Sequence, residues 1–345
     1  MRLAVVGNPE NRRVALFRAA VERAGQPEPE VFAWREVLTA GRVPGPGTLV
    51  RIDSPGEDAE VDRLLRELGG GRPAAVAEHG RIIGGADWFA GLRAALARIE
   101  AGGGTLLSRP ADILTMTDKP RCHALLAAAG IPVPDALGPV DGWAALRASG
   151  WKRVFVKPSH GSSASGVLAV AMAGPRVTAV TSVEVSGGSL YNNLGVRRYH
   201  DEQTIASIVD RLAPDGLHVE KWYPKASLGD RVLDLRVVVI AGRARHVVVR
   251  TSRSPMTNLH LGNARGDVSA VRSAAGEREW AAAMATCERV AGCFPGTLQV
   301  GVDLMFRAGW RGHAVAEVNA FGDLLPGVLA DGQDTYDAQV AACAI

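Results

Sequence analysis

The chain has 345 residues, 47% of them hydrophobic, a formal net charge of +3 and four cysteines. That length suits two or three domains with real apolar cores, and no run of about 18 apolar residues is present to form a membrane span. The small positive excess comes from scattered arginines, so nucleic acid is not an expected partner. Cys122, Cys287, Cys293 and Cys343 lack the paired spacings of a zinc site and read as idle thiols. The first residues turn polar too soon for a secretory signal, which places the protein in the cytoplasm.

Residues 2–6 read as a short apolar strand ending at Gly7-Asn8. A helical pattern follows over 11–24, with Val14, Phe17 and Val21 on one face. Strands over 31–34 and 48–53 and helices over 57–68 and 88–101 continue the alternation, predicting a small parallel βαβ sheet. Gly7-Asn8-Pro9-Glu10 is not a dinucleotide fingerprint. Gly102-Gly103-Gly104 reads as a flexible join, so a first domain is expected over residues 1–104 and a second over 105–345.

Thr117 is the expected N-cap of a helix running to Ala129, with Lys119 on its first turn. Residues 153–158 form a strand bearing Lys157. The segment Ser159-His160-Gly161-Ser162-Ser163-Ala164-Ser165-Gly166 then leads into a second strand over 167–171. So small and glycine-rich a loop lets backbone N–H groups close over phosphate oxygens while the lysine supplies a point charge. It is not a Walker A loop. The plain alternative is a hairpin with an idle tip, against which stands the cost of a lysine in an apolar strand without an anion. Residues 173–200 carry no clear period, and Tyr191-Asn192-Asn193 and Arg197-Arg198-Tyr199-His200 are candidates for a loop over the site. A helix over 201–212, strands over 234–240 and 244–250, a helix over 276–291 and a closing helix over 330–344 follow.

Residues 299–306 alternate, with Val300, Val302, Leu304 and Phe306 on one face and Asp303 on the other. Residues 315–320 alternate too, so Val315, Glu317 and Asn319 share a face. The polar turn between the two runs predicts an antiparallel hairpin. Asp303 then comes beside Glu317 and Asn319, and three hard oxygen donors suit Mg²⁺, which keeps several waters and shares its sphere with phosphates. The plain alternative is a half-exposed hairpin with polar outward residues.

Taken in order, Lys119, Lys157 with its glycine loop, Glu220-Lys221, Asp234-x-Arg236, Arg250, Asn258-x-His260, Asp303 and Glu317-x-Asn319 resemble the ATP-grasp superfamily, over about residues 105–325. The run from Asp234 to Asn263 is most similar to the branch of ribosomal-protein glutamate ligases and glutathione synthetases. The resemblance implies a mixed α/β and α+β chain with the ATP-grasp fold. Two β-rich lobes, at about 135–220 and 221–345, would clamp nucleotide behind a Rossmann-like parallel-sheet domain. ATP and Mg²⁺ are the implied cofactors. Lys119 and Lys157 would meet the phosphates, and His160, Gly161, Ser162, Ser163 and Gly166 belong to the loop over them. Glu220, Lys221 and Tyr223 would border the adenine and Asp230 the ribose. Asp303, Glu317 and Asn319 would hold the metal, while Arg236, Arg250, Asn258 and His260 form the implied catalytic set.

The implied reaction is ATP-dependent ligation of an acid to an amine through an acyl phosphate, the substrates being small molecules or peptides. Many relatives follow E-V-N with two residues and then Pro-Gly. Here Ala320-Phe321-Gly322-Asp323-Leu324-Leu325-Pro326-Gly327 intervenes, so no subgroup's specificity carries over. Two further classes stay open: a kinase using the same clamp on a hydroxyl, and a nucleotide-binding protein without turnover. Association into a homo-oligomer stays open as well. No G-x-S-x-G is present, and Cys122 has no evident partner base.

Overall fold

The computed structural model describes residues 2–161, 164–321 and 325–343. Its first unit contains β1 (Arg2–Gly7), α1 (Arg12–Arg23), β2 (Glu30–Ala33), α2 (Trp34–Thr39), β3 (Thr48–Ile52), α3 (Ala59–Gly70), α4 (Gly85–Ala101) and β4 (Thr105–Leu106). The four strands form a parallel sheet in the order β2-β1-β3-β4. Residues 3–7 of β1 are all buried, as a parallel strand covered on both faces requires. Trp34, expected at the end of β2, instead opens α2 and donates its indole N–H to the Asp53 carbonyl at 3.1 Å.

The glycine run at 102–104 is not a loose join. The sheet continues past it into β4, and a Cβ on Gly104 would sit 2.7 Å from Val50 Cγ2. Glycine is there for close approach.

Two short helices follow, α5 (Pro110–Thr117) and α6 (Lys119–Ala128). Thr117 ends α5 rather than capping α6. Asp118 is the cap, extended at φ −97° and ψ 98°, its carboxylate accepting from Arg121 N at 3.1 Å. Lys119 does lie in the first turn of α6.

The next unit holds α7 (Trp143–Ala148), β5 (Arg153–Pro158), β6 (Leu168–Ala173), β7 (Arg176–Ser186), β8 (Ser189–Tyr199), α8 (Glu202–Leu212) and β9 (Leu217–Lys221). Its antiparallel sheet runs β8-β7-β6-β5-β9 around a core that includes Leu146, Val154, Val156, Ile205 and Ile208. Residues 176–199 are therefore a long hairpin turned at Gly187-Gly188, not a loop. β8 sits at the end of the sheet and is mostly exposed or half-buried. It therefore lacks the apolar alternation that betrays an inner strand.

The last unit contains β10 (Ser227–Leu228), β11 (Arg231–Ile240), β12 (Arg243–Ser252), β13 (Ala264–Gly266), α9 (Val268–Ala275), α10 (Glu277–Gly292), β14 (Gln299–Phe306), β15 (His313–Asn319) and α11 (Thr335–Ala342). Its antiparallel sheet runs β13-β12-β11-β14-β15, with β10 on β11. The predicted hairpin of β14 and β15 is present with one change. Asp303 pairs with Glu317 and Leu304 with Val315, leaving Ala316 as an extra residue. Such a bulge switches the facing of the strand, so Val315 lies in the core at 2% exposure while Glu317 and Asn319 stay half-buried.

α11 closes the molecule by packing on α1 through Tyr336 and Val340 and on the last sheet through Ala338. A buried Arg51 explains the charge inside β3: it pairs with Asp53 at 2.7 Å and donates to Gln339 of α11. Among the described residues no helix is long and apolar enough to cross a membrane.

Candidate functional site

A cleft enclosing about 760 Å³ of space, part of it open to solvent, lies between the two antiparallel sheets. Lys157 and Glu220 line its small-lobe side, and Asp234, Arg250, Asp303 and Glu317 the other. A larger one, about 1,890 Å³, opens toward the parallel-sheet unit and reaches Ser54, Gly56 and Trp88. Gly161, Ser165, Arg250, Asn258 and Glu317 line both, so the two chambers meet there.

Strand register builds one wall. Asp234 of β11 lies opposite Arg250 of β12, and Arg236 of β11 lies opposite Asp303 of β14. Arg236 donates to both Asp303 oxygens, Nη2 to Oδ2 at 3.1 Å, and Arg250 Nη2 reaches Asp303 Oδ1 at 3.1 Å. Arg250 Nε donates to Asp234 Oδ1 at 2.7 Å. Burial pushes the Asp303 carboxyl up, but the Arg236 and Arg250 guanidinium groups prevail and hold it below the usual carboxylate range. Asp234 behaves the same way between Arg250 and Lys225.

The opposite wall carries the lysines. Lys157 on β5 is buried, its ammonium 2.5 Å from Glu220 Oε1 and donating to the Ala316 carbonyl at 3.3 Å. The bulge thus turns a carbonyl as well as a carboxylate into the site. Burial pushes Lys157 down, yet Glu220 and Glu317 outweigh it and its pKa ends raised. Against its own burial, Glu220 is held at about 2 by Lys157 and by His218, whose Nε2 lies 3.3 Å away. Lys119 Nζ is 3.2 Å from Glu317 Oε1 and donates to the Gly161 carbonyl at 2.7 Å.

The remaining residues divide. Tyr223 lines the first chamber, Gly161 and Asn258 both, and His160, Arg236, His260 and Asn319 the second. His160 stacks on Phe89 with ring centroids 3.9 Å apart. Gly166 holds a left-handed turn at φ +71° close against Pro158. Lys221 points away: exposed, it pairs with Asp135 at 2.6 Å and lines neither chamber. Asp230 also stands apart, on an exposed turn 2.7 Å from Arg253, because β11 begins only at Arg231. Ser162 and Ser163 lie outside the described residues.

Among the lining residues not singled out as site residues are Asp234, Lys225 and Thr257. Asp234 was available as the first letter of the D-x-R motif. Lys225 and Thr257 carry no local signature, since only the sheet brings them together.

Among the described residues no three His, Cys, Asp or Glu side chains cluster as a metal site. Asp303 and Glu317 face each other across the hairpin, and Asn319, two residues further along β15, lies opposite Gly301. Two carboxylates and an amide fit Mg²⁺, whose remaining positions go to water and phosphate. The two carboxylates are paired with Arg236, Arg250 and Lys119.

No family model and no curated protein matches the sequence. Solved structures do. The D-cycloserine synthetase DcsG superposes with a TM-score of 0.60 at 18% identity, covering 100% of this chain and 99% of that one. The ATP-grasp ligase PsnB, complexed with a minimal precursor, gives 0.54 at 18% identity and 99% of both chains. A D-alanine–D-alanine ligase from Bacillus anthracis, complexed with ATP, gives 0.52 at 12% identity, covering 99% of this chain and 95% of that one. These likenesses run the length of the chain, and they show that it has the ATP-grasp fold.

Proposed function

We propose that the protein is an ATP-dependent carboxylate-amine ligase. The observation that carries this is that Lys119 pairs with Glu317 and Lys157 donates to the neighbouring Ala316 carbonyl, which puts both lysines in the first chamber with Asp303, beside the Glu317 that borders both chambers. The first chamber lies between the two sheets, as a nucleotide clamp requires, and the second, which opens toward the parallel-sheet unit, would receive the acid and the amine. In this reading Lys119 and Lys157 bind the triphosphate, the glycine loop closes over it, and Glu220 and Tyr223 border the base. When bound by Asp303, Glu317 and Asn319, Mg²⁺ would neutralise charge on the phosphates.

The substrate carboxylate attacks the γ-phosphorus, ADP leaves, and an acyl phosphate remains. The amine then attacks the acyl carbon and phosphate departs. Arg236 and Arg250, which both reach Asp303, would hold charge on the transferring group. Neither step needs a protein nucleophile. Burial pushes the Cys122 thiol up to about 12, which leaves it unreactive.

Supporting company comes from the fold neighbours: PsnB is a ligase complexed with a precursor peptide and AMPPNP, and DcsG a synthetase of a small molecule. Both kinds of substrate, peptide and small molecule, therefore belong in the trial set. The cytoplasm, where free thiols stay reduced, suits the four unpaired cysteines.

The test supplies ATP, Mg²⁺ and panels of acids and amines, and follows ADP, phosphate and product mass. Phosphate release that depends on both acid and amine, with a product heavier by acid plus amine minus water, is the expected result. ADP without free phosphate and a phosphorylated product would instead mark a kinase.

A further inference from the structure

We propose that Lys225 is a positioning residue for phosphoryl transfer, acting through Asp234 to aim the Arg250 guanidinium at the junction of the two chambers. The proposal rests on the ligase reading and adds a residue to it.

An ammonium group has three N–H donors. Those of Lys225 have three acceptors: Asp234 Oδ2 at 3.0 Å, Thr257 Oγ1 at 2.8 Å and the Pro255 carbonyl at 3.3 Å. Its side chain is only 9% exposed. Although Lys225 lines the first chamber, every donor is committed to protein, so it has no proton to offer a phosphate. Its effect must pass through its partners.

Asp234 is the partner that matters. Lys225 and the Thr257 hydroxyl occupy Oδ2, which leaves Oδ1 for a single bond from Arg250 Nε. A carboxylate with both oxygens free takes arginine bidentately. Occupying Oδ2 prevents that and leaves the outer nitrogens of Arg250 for Asp303 at 3.1 Å and for the chambers it borders. Lys225 also sets the charge. The row Lys225, Asp234, Arg250, Asp303, Arg236 has three cations and two carboxylates; without Lys225 it is neutral. The other lobe repeats the plan, with His218 backing Glu220 and Glu220 holding Lys157.

The experiment is calorimetric titration of Mg²⁺-ADP with and without aluminium fluoride, a mimic of the group in transfer. Wild type should bind ADP and bind it more tightly with the mimic. Lys225→Met should keep ADP affinity within about 3-fold and lose at least about 10-fold of the tightening. Thr257→Val, which keeps the charge, should lose less in the same direction and carries the test if Lys225→Met does not fold. In the Asp234→Asn background Lys225→Met should add no further loss, the mark of action through Asp234. Wild-type tightening in Lys225→Met, or losses that add in the double variant, would overturn the assignment. So would a 10-fold loss of ADP affinity with the tightening intact, because Lys225 would then touch nucleotide. A wild type that binds no Mg²⁺-ADP would remove the ligase reading itself, and the assignment with it.

Discussion

Glu220 has both oxygens engaged, one by the Lys157 ammonium and one by His218, in a place with almost no water. Lys157 and His218 hold its carboxyl at about 2, well below the usual glutamate range. A depressed carboxylate contributes stability that is whole above pH 4.5 and is lost as the pH falls toward 2. Glu220→Gln should therefore melt lower than wild type at pH 7, and the gap should narrow steadily as melting curves are taken from pH 5 down to pH 2. A constant gap would contradict the account. The Asp303 and Glu317 carboxylates need different handling. Asp303 is buried against two guanidinium groups, and its removal would break a buried ion-pair network at a cost of about 3–5 kcal/mol. Glu317 is 31% exposed at the side chain, so Glu317→Gln is the cleaner variant. It should fold normally, as thermal melting will record, and lose about 100- to 1,000-fold in turnover, the scale of one missing transition-state charge partner.

The elements of the site depend on irregularities. Without the extra residue at Ala316, β15 beyond it would slip by one and turn Glu317 into the core. The hairpin itself was legible in the alternation of Val300, Val302, Leu304 and Phe306, and so was the meeting of Asp303 with Glu317. The bulge was not, because a period-2 reading assigns faces as though no residue were skipped. The parallel unit and Lys157 at the end of an apolar strand were readable for similar reasons. β8 was not, since an edge strand needs no apolar face, and neither were the exposed positions of Lys221 and Asp230, which depend on where neighbouring strands begin and end. Gly166 makes the element-scale prediction. It sits at φ +71°, and a Cβ there would meet Pro158 Cγ at 2.6 Å. Gly166→Ala should destabilise by about 1–3 kcal/mol, read by denaturant unfolding, and should weaken nucleotide binding because the loop can no longer turn back beside Lys157.

Across the whole molecule, the small lobe is tied to the parallel-sheet unit as well as to the last sheet. Ile82 N donates to the Leu190 carbonyl at 2.9 Å and Asn192 N to the Gly80 carbonyl at 2.7 Å, so residues 80–82 run along β8. Asp215 caps α4 from the other unit, accepting from Gly85 N at 2.9 Å and Ala86 N at 3.3 Å. Its α4 partner has no cap of its own, since Gly84 lacks a side chain. Asp215→Ala should cost about 1 kcal/mol and speed amide exchange at Gly85 and Ala86 without affecting β14 or β15. Unchanged exchange there would mean that the tie carries no load.

The central claim is that two lysines from one wall and three oxygen donors from the other serve a single magnesium triphosphate. Titration of AMPPNP with Mg²⁺ into wild type, Lys119→Met and Lys157→Met tests it directly. One site per chain is predicted in wild type, weakened roughly 10- to 100-fold in each variant, as the loss of a charged hydrogen bond of about 1.5–3 kcal/mol requires. Wild-type affinity in both lysine variants would contradict it.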